Sequence, residues 1–219
     1  MSGESFRSPF AALVWKEWRE SWWLLVLTLV WPSASYSTAS YCRLPTSVWD
    51  ESAIIGLTLL ALSLGAGLFA GERAKGTSAF IAERAVRRST IWNAKIIMPV
   101  LTLVIAVILY LIVSCWLLPD PWYKGITPDT CMMLAVAFLM FASAVLCSVL
   151  LDRAVTAWAA GGVLSLIAFI GPMGLFDHFM GLDAERFNLQ WSVFLCLLFI
   201  EVIGLLWLSR VAYVRWVRD

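Results

Sequence analysis

Charge is scarce in this chain. Of its 219 residues, 14% are Asp, Glu, Lys or Arg, against about 25% in soluble domains. The stretches 21–42, 52–70, 96–119, 130–151, 154–176 and 187–209 hold one charged residue between them, Glu201. Each is close to the ~20 residues that a helix needs to cross a ~30 Å hydrocarbon layer. Backbone in lipid must satisfy its own hydrogen bonds, so such stretches read as helices. The expectation is an all-α polytopic membrane protein: six spans over those residues, in a single transmembrane domain over 1–219. No connecting loop is long enough to fold as a domain of its own.

Histidine is scarcer still. The one histidine, His178, is expected in an outer loop with no partner for catalysis or metal binding. The five cysteines, Cys42, Cys115, Cys131, Cys147 and Cys196, show no paired metal or redox spacing. They read mostly as small apolar residues within spans; Cys115 and Cys131, flanking the second outer loop, are the pairing that topology allows. A phosphate-binding loop is missing as well. Gly71 and Gly76 have the glycine spacing of G-x-x-x-x-G-K-[ST], but Thr77 follows Gly76 directly and the lysine is absent. The strand-then-helix setting of that motif is absent too. No Ser-His or paired-Asp constellation points to an intramembrane protease. The expectation is therefore no catalytic, cofactor or metal residue in this chain, and no nucleic-acid partner, since topology accounts for the basic residues.

The net charge of +1 conceals an asymmetry. With the N-terminus in the cytoplasm, six spans return the C-terminus to the same side. Inside then lie Arg7, Lys16, Arg19, Arg73, Lys75, Arg84, Arg87, Arg88, Lys95, Arg153, Arg210, Arg215 and Arg218, and outside only Arg43, Lys124 and Arg186. That bias is the positive-inside pattern, and it places both termini on the cytoplasmic side of the inner or plasma membrane. Trp22, Trp23, Trp92 and Trp158 fall near inner ends, and Trp49, Trp116, Trp122 and Trp191 near outer ends, as an aromatic belt requires. Trp31, mid-span, is the exception. A cleaved signal peptide fits poorly, because the charges before the first span balance rather than being basic.

The cytoplasmic pieces carry most of the information. Ser8-Pro9 supplies an N-cap and a first-turn proline for a short helix over 9–20. Phe10, Ala11, Val14, Trp15 and Trp18 share one arc of it, and Lys16, Glu17, Arg19 and Glu20 the other. Such a helix lies at the headgroup boundary or packs on the underside of the bundle. The loop from Gly71 to Lys95 joins spans two and three. Thr77 can cap about two turns from Ser78 to Ala85, and Ser89 or Thr90 can cap the third span. On the residues alone this loop is either a lever for a soluble partner or a positive-inside anchor.

The loop resembles the signature region of ABC type-2 transporter permeases, the membrane subunits of ATP-driven exporters. Glu72, Gly76, Thr77, Phe80, Val86, Arg88 and Lys95 stand in the family's places; Ala85 replaces the usual proline and Arg87 the usual serine or threonine. The run Val14-Trp15-Lys16-Glu17-Trp18 is similar to the family's N-terminal elbow helix. The resemblance implies a permease that is not itself an enzyme. It would work with a separate ABC ATPase subunit that binds ATP and Mg, and with a second permease copy, as a homodimer or heterodimer. Coupling to the ATPase would run through Glu72, Gly76, Thr77, Phe80, Ile81, Arg84 and Arg88. A narrower relative is the haem-exporter-like membrane subunit of cytochrome c maturation, although no matching haem-binding residues are present. The alternative from another class is a non-transport membrane assembly or sensor protein.

Within the spans, Glu201 lies near the middle of the sixth, where a carboxylate is costly and faces the bundle interior or water. It reads as a point on a substrate path or as a packing contact to a serine or threonine. The outer half of span one is rich in hydroxyls: Ser33, Ser35, Ser37, Thr38 and Ser40. Such a face is expected to line a cavity or pack on another helix rather than meet lipid. Ser33 and Ser37 join Glu201 as candidates for a translocation path. Gly65, Gly67 and Gly71 permit close helix approach, while Gly161-Gly162 and Gly171-Pro172-x-Gly174 loosen span five. The resemblance implies a re-entrant segment at about 171–190. None of this selects a substrate: lipids, peptides, drugs and ions fit alike.

Overall fold

A computed structural model of the chain describes residues 9–42, 46–74, 87–117, 128–180 and 187–216. They form six helices: α1 (Pro9–Tyr41), α2 (Thr46–Ala74), α3 (Arg88–Leu117), α4 (Pro128–Leu150), α5 (Ala154–Met180) and α6 (Phe187–Trp216). Among the described residues there is no strand. Five helices carry windows long and apolar enough to cross a membrane: Ile54–Gly71, Arg88–Ile112, Cys131–Leu150, Ala154–Pro172 and Ser192–Arg215. The protein is all-helical, with the make-up of a multi-pass membrane protein. The sixth, α1, falls short of that criterion because Trp22, Trp23, Trp31, Pro32 and the hydroxyls after them dilute its Leu/Val run.

The helices overrun the apolar stretches that announce them. Residues 9–20 do not form a separate elbow; they continue into the first apolar stretch as one helix of 33 residues. At 1.5 Å per residue it is about 50 Å long. The connection expected over 71–95 is shorter, because α2 runs on to Ala74 and α3 starts at Arg88. The reason is general: a helix keeps its own hydrogen bonds beyond the lipid, so the edge of an apolar run is not the edge of a helix. Entry into α3 also differs from expectation. The N–H groups of Thr90 and Ile91 donate to the Arg87 carbonyl at 2.9 and 3.2 Å, so the helix opens on Arg87 and not on Ser89 or Thr90. At the other end of the bundle, α5 passes through Gly171-Pro172 and stays helical to Met180. No re-entrant turn interrupts 171–180. Cys131 is a free thiol, which removes the pairing with Cys115. The loop helix expected over 78–85 lies outside the described residues.

In the packing, α4 is the centre. Within its membrane window 72% of residues are buried, against 17% in α5 and 22% in α6. It touches α2, α5 and α6, while α1 lies against α2 and α3. Small residues make this possible. A Cβ on Gly65 of α2 would stand 2.6 Å from the Phe141 carbonyl oxygen, and one on Gly161 of α5 would stand 2.7 Å from Ala144 Cα. Both neighbours are backbone atoms of α4 that cannot give way. Between lipid-embedded helices there is no hydrophobic drive, so this close approach is itself the source of attraction. The α4–α5 reversal is tight: the Leu151 N–H bonds the Cys147 carbonyl at 2.8 Å and the Ala157 N–H bonds the Arg153 carbonyl at 3.0 Å.

Candidate functional site

Lys95 and Glu17 are 78 residues apart in sequence, and the fold brings them together. Lys95 projects from the second turn of α3 with only 2% of its side chain exposed. Its ammonium donates to the Leu68 carbonyl of α2 at 3.1 Å and to Glu17 Oε1 of α1 at 3.4 Å. The Glu17 side chain is itself 12% exposed. The same ammonium stands 5.5 Å from the centre of the Phe69 ring, within cation–π range. A buried ammonium needs such company, because taking it out of water without a counter-charge costs far more than a fold can supply. The consequence is geometric. Turning α1 to any other face would leave Lys95 uncompensated, so the pair sets the rotation of α1 against α3.

The contact extends to a fourth helix. Phe69 packs on Tyr213 of α6, with ring centroids 4.8 Å apart and planes tilted by 42°. Trp92, one turn before Lys95, is buried in the same layer, and its Nε1 has no hydrogen-bond partner among the described residues. One layer thus ties α1, α2, α3 and α6. It lies about 10 Å, or two helical turns, from Ala74 and from Arg88, the residues that bound the connection between α2 and α3. Of the residues assigned to ATPase coupling, Glu72 falls in the last turns of α2 and Arg88 opens α3. Gly76, Thr77, Phe80, Ile81 and Arg84 lie outside the described residues.

The two arcs of the N-terminal segment are arranged for lipid. Trp15, Trp18 and Trp22 face outward, while Glu17 turns inward to Lys95. An uncovered aromatic face with the charge directed into the bundle suits the headgroup boundary; the aromatic arc does not pack on the underside of the bundle. Further along α1, Trp31 packs its indole on Gly56 of α2, where a Cβ would not fit. This accounts for the one tryptophan outside the belts. Beside it, an apolar groove of about 240 Å³ opens between α1, α2 and α3, lined in part by Trp23, Leu27, Trp31, Leu60 and Tyr110.

Of the path residues, Ser37 and Glu201 stand on α1 and α6, which do not pack closely on each other. Ser37 and Thr38 are exposed on α1, and Thr38 Oγ1 donates to the Ala34 carbonyl of its own helix at 2.8 Å. Of the hydroxyl face, these two described side chains are therefore not covered by another helix of this chain. Thr38 is tolerable in lipid because such back-bonding satisfies the hydroxyl locally. The Ser33 side chain lies outside the described residues. Glu201 is half-buried on α6, and its Oε2 is buried without a hydrogen-bond partner among the described residues, as is Ser143 Oγ on α4. The contact to a neighbouring hydroxyl expected for Glu201 is not made by that oxygen. Since α1 packs on α2 and α3 while α6 packs chiefly on α4, Glu201 and the α1 hydroxyls belong to separate regions. Among the described residues no His, Cys, Asp or Glu cluster is suited to a metal ion.

The sequence places Glu17 only in a charged arc and in the elbow-like run 14–18, with no partner assigned. The available signal was Lys95, a cation embedded among Ile91, Trp92, Ala94, Ile96 and Ile97. A cation in such a run demands a carboxylate from elsewhere. Comparison with protein-family models, with curated proteins and with solved structures returns no match.

Proposed function

We propose that the chain is the membrane permease subunit of an ABC exporter, moving a substrate with ATP hydrolysed by a separate subunit. The observation that carries this reading is the Lys95–Glu17 contact. The two segments that resemble the permease family are the run at 14–18 and the loop closing on Lys95. They are distant in sequence, yet each contributes one member of a buried ion pair at the root of that loop. Coupling needs such an arrangement: a push on the loop between Ala74 and Arg88 reaches α2 and α3 at once, and reaches α1 through Glu17. Two exposed features support a second permease copy. The Ser37–Thr38 face of α1 is uncovered, and a Cβ on Gly67 or Gly71 would meet nothing within 4 Å, leaving room for another helix. In this reading both termini lie in the cytoplasm, and ATP and Mg bind to the partner.

The test is reconstitution. The chain, coexpressed with a candidate ABC ATPase subunit, is expected to copurify with that subunit and to support Mg-ATP hydrolysis responsive to a panel of candidate substrates. Robust hydrolysis by the chain alone, free of any ATPase, contradicts the reading. So does labelling of a cysteine at position 84 from outside intact cells.

A further inference from the structure

Where α6 leaves the hydrophobic layer, it presents two arginines to a cleft against the first turn of α3. The cleft has a volume of about 300 Å³ and is lined by Ser89, Trp207, Arg210, Val211, Val214 and Arg215. Residues 207, 210, 211, 214 and 215 follow the i, i+3, i+4, i+7, i+8 spacing of a single helix face, and Ser89 closes the cleft from α3. Arg210 and Arg215 are exposed, and no described carboxylate forms a salt bridge with either; the ion pair formed between described residues at this end is Lys95–Glu17. The cleft is therefore lined by two arginines without a counter-charge among the described residues, and by a serine from the opening turn of a 30-residue helix, a setting that favours an anion. The face continues into the apolar layer, where Ile203 and Ile200 follow Trp207 and are 67% and 64% exposed. Gly204 beside them leaves open space.

We infer that this cleft binds the headgroup phosphate of an anionic phospholipid, with the acyl chains lying along Ile203 and Ile200. The pairing of a dibasic cleft with an apolar track favours a lipid over a free phosphate: a soluble anion would use the arginines and leave the track unused. Basic pockets between membrane helices recognise acidic headgroups by this combination of charge and depth. The inference does not depend on the transport reading, and its test involves no ATPase.

The full-length chain, purified in neutral detergent, is titrated with dioleoyl phosphatidylglycerol, dioleoyl phosphatidylcholine or glycerol phosphate, and bound species are counted by native mass spectrometry. Phosphatidylglycerol is expected to bind at least tenfold more tightly than phosphatidylcholine. The Arg210→Gln, Arg215→Gln double variant is expected to lose about thirtyfold, close to what two juxtamembrane cations contribute. The Arg153→Gln variant, which removes an exposed cation at the α4–α5 turn, is expected to bind as the parent does. Undiminished binding by the double variant, or an equal loss in Arg153→Gln, overturns the site. Glycerol phosphate displacing the lipid at matched concentration overturns the lipid assignment. A variant-free measurement guards against misfolding: photoactivatable phosphatidylglycerol on the unaltered chain is expected to label Ser89 or residues 207–215. Adducts spread evenly over α5 and α6 would also sink the inference.

Discussion

Two of the junctions in the bundle hold by opposite means. At one, α1, α2 and α3 close on Lys95, the one buried charged residue among the described residues, with a carboxylate, a carbonyl and a ring supplied to meet it. At the other, α2, α4 and α5 close on the absence of side chains at Gly65 and Gly161. The difference is one of specificity against proximity. Small residues let helices approach, but many rotations of a smooth apolar helix satisfy that demand. An ion pair in the same setting is satisfied by one rotation only. The charged junction lies at the root of the α2–α3 connection, where the proposed coupling would need a defined response to a push. The glycine junction lies in the scaffold behind it.

The sharpest way to break this comparison is to remove one charge. Glu17→Ala leaves Lys95 buried without its carboxylate and is expected to cost about 3–5 kcal/mol, read as a fall in thermal stability in detergent. The Glu17→Leu, Lys95→Met double variant should recover most of that stability, because an apolar pair of similar volume avoids the desolvation cost. If the double variant is no more stable than the single one, Lys95 is not held by Glu17. Next in size come the scaffold glycines. Gly65→Leu or Gly161→Leu drives a side chain into the backbone of α4 and should cost about 1–3 kcal/mol or more, with the protein lost to aggregation during purification. Phe80→Ala is expected to leave stability unchanged yet weaken ATPase copurification about thirtyfold, as a buried aromatic anchor worth about 2 kcal/mol implies. Arg84→Ala should be milder, since rim charges mainly alter salt dependence. Unchanged ATPase recovery with Phe80→Ala assigns the loop to topology alone. The smallest effect is expected for Gly67→Ala, where a Cβ meets nothing within 4 Å; its stability should stay within about 0.5 kcal/mol of the parent.

The six helices were legible because apolar runs of bilayer length have few other uses, and each of the six runs is a helix in the structure. Their ends were not, because residues such as Glu72 and Arg73 leave the lipid without leaving the helix. Nor was the order of burial. The α4 and α5 windows both pass as membrane spans, but one is 72% and the other 17% buried. Hydropathy reports preference over water and says nothing about whether lipid or protein provides the apolar surroundings. Of the candidate site, Lys95 was legible only as an inside charge and a position of the family resemblance, and its pairing with Glu17 was not foreseen. A partner 78 residues away depends on the rotation of two helices that no local pattern encodes. Thr38, one of the hydroxyls of span one, satisfies itself on Ala34 and is exposed, so at that residue polarity in the sequence did not translate into burial.

The unbroken course of α1 from the charged junction to Tyr41 has a mechanical meaning. From Glu17 to Tyr41 the helix runs 24 residues, about 36 Å. Pinned near Glu17, it behaves as a lever: a tilt of ~5° at the pinned end sweeps the far end through about 3 Å, given the rise per residue of an unbroken helix. An interior proline, Pro32, withholds one backbone donor from this rod about two thirds of the way along, yet the helix continues to Tyr41. A separate elbow would have absorbed such a rotation at its hinge, whereas a continuous helix carries it across the full thickness of the bundle.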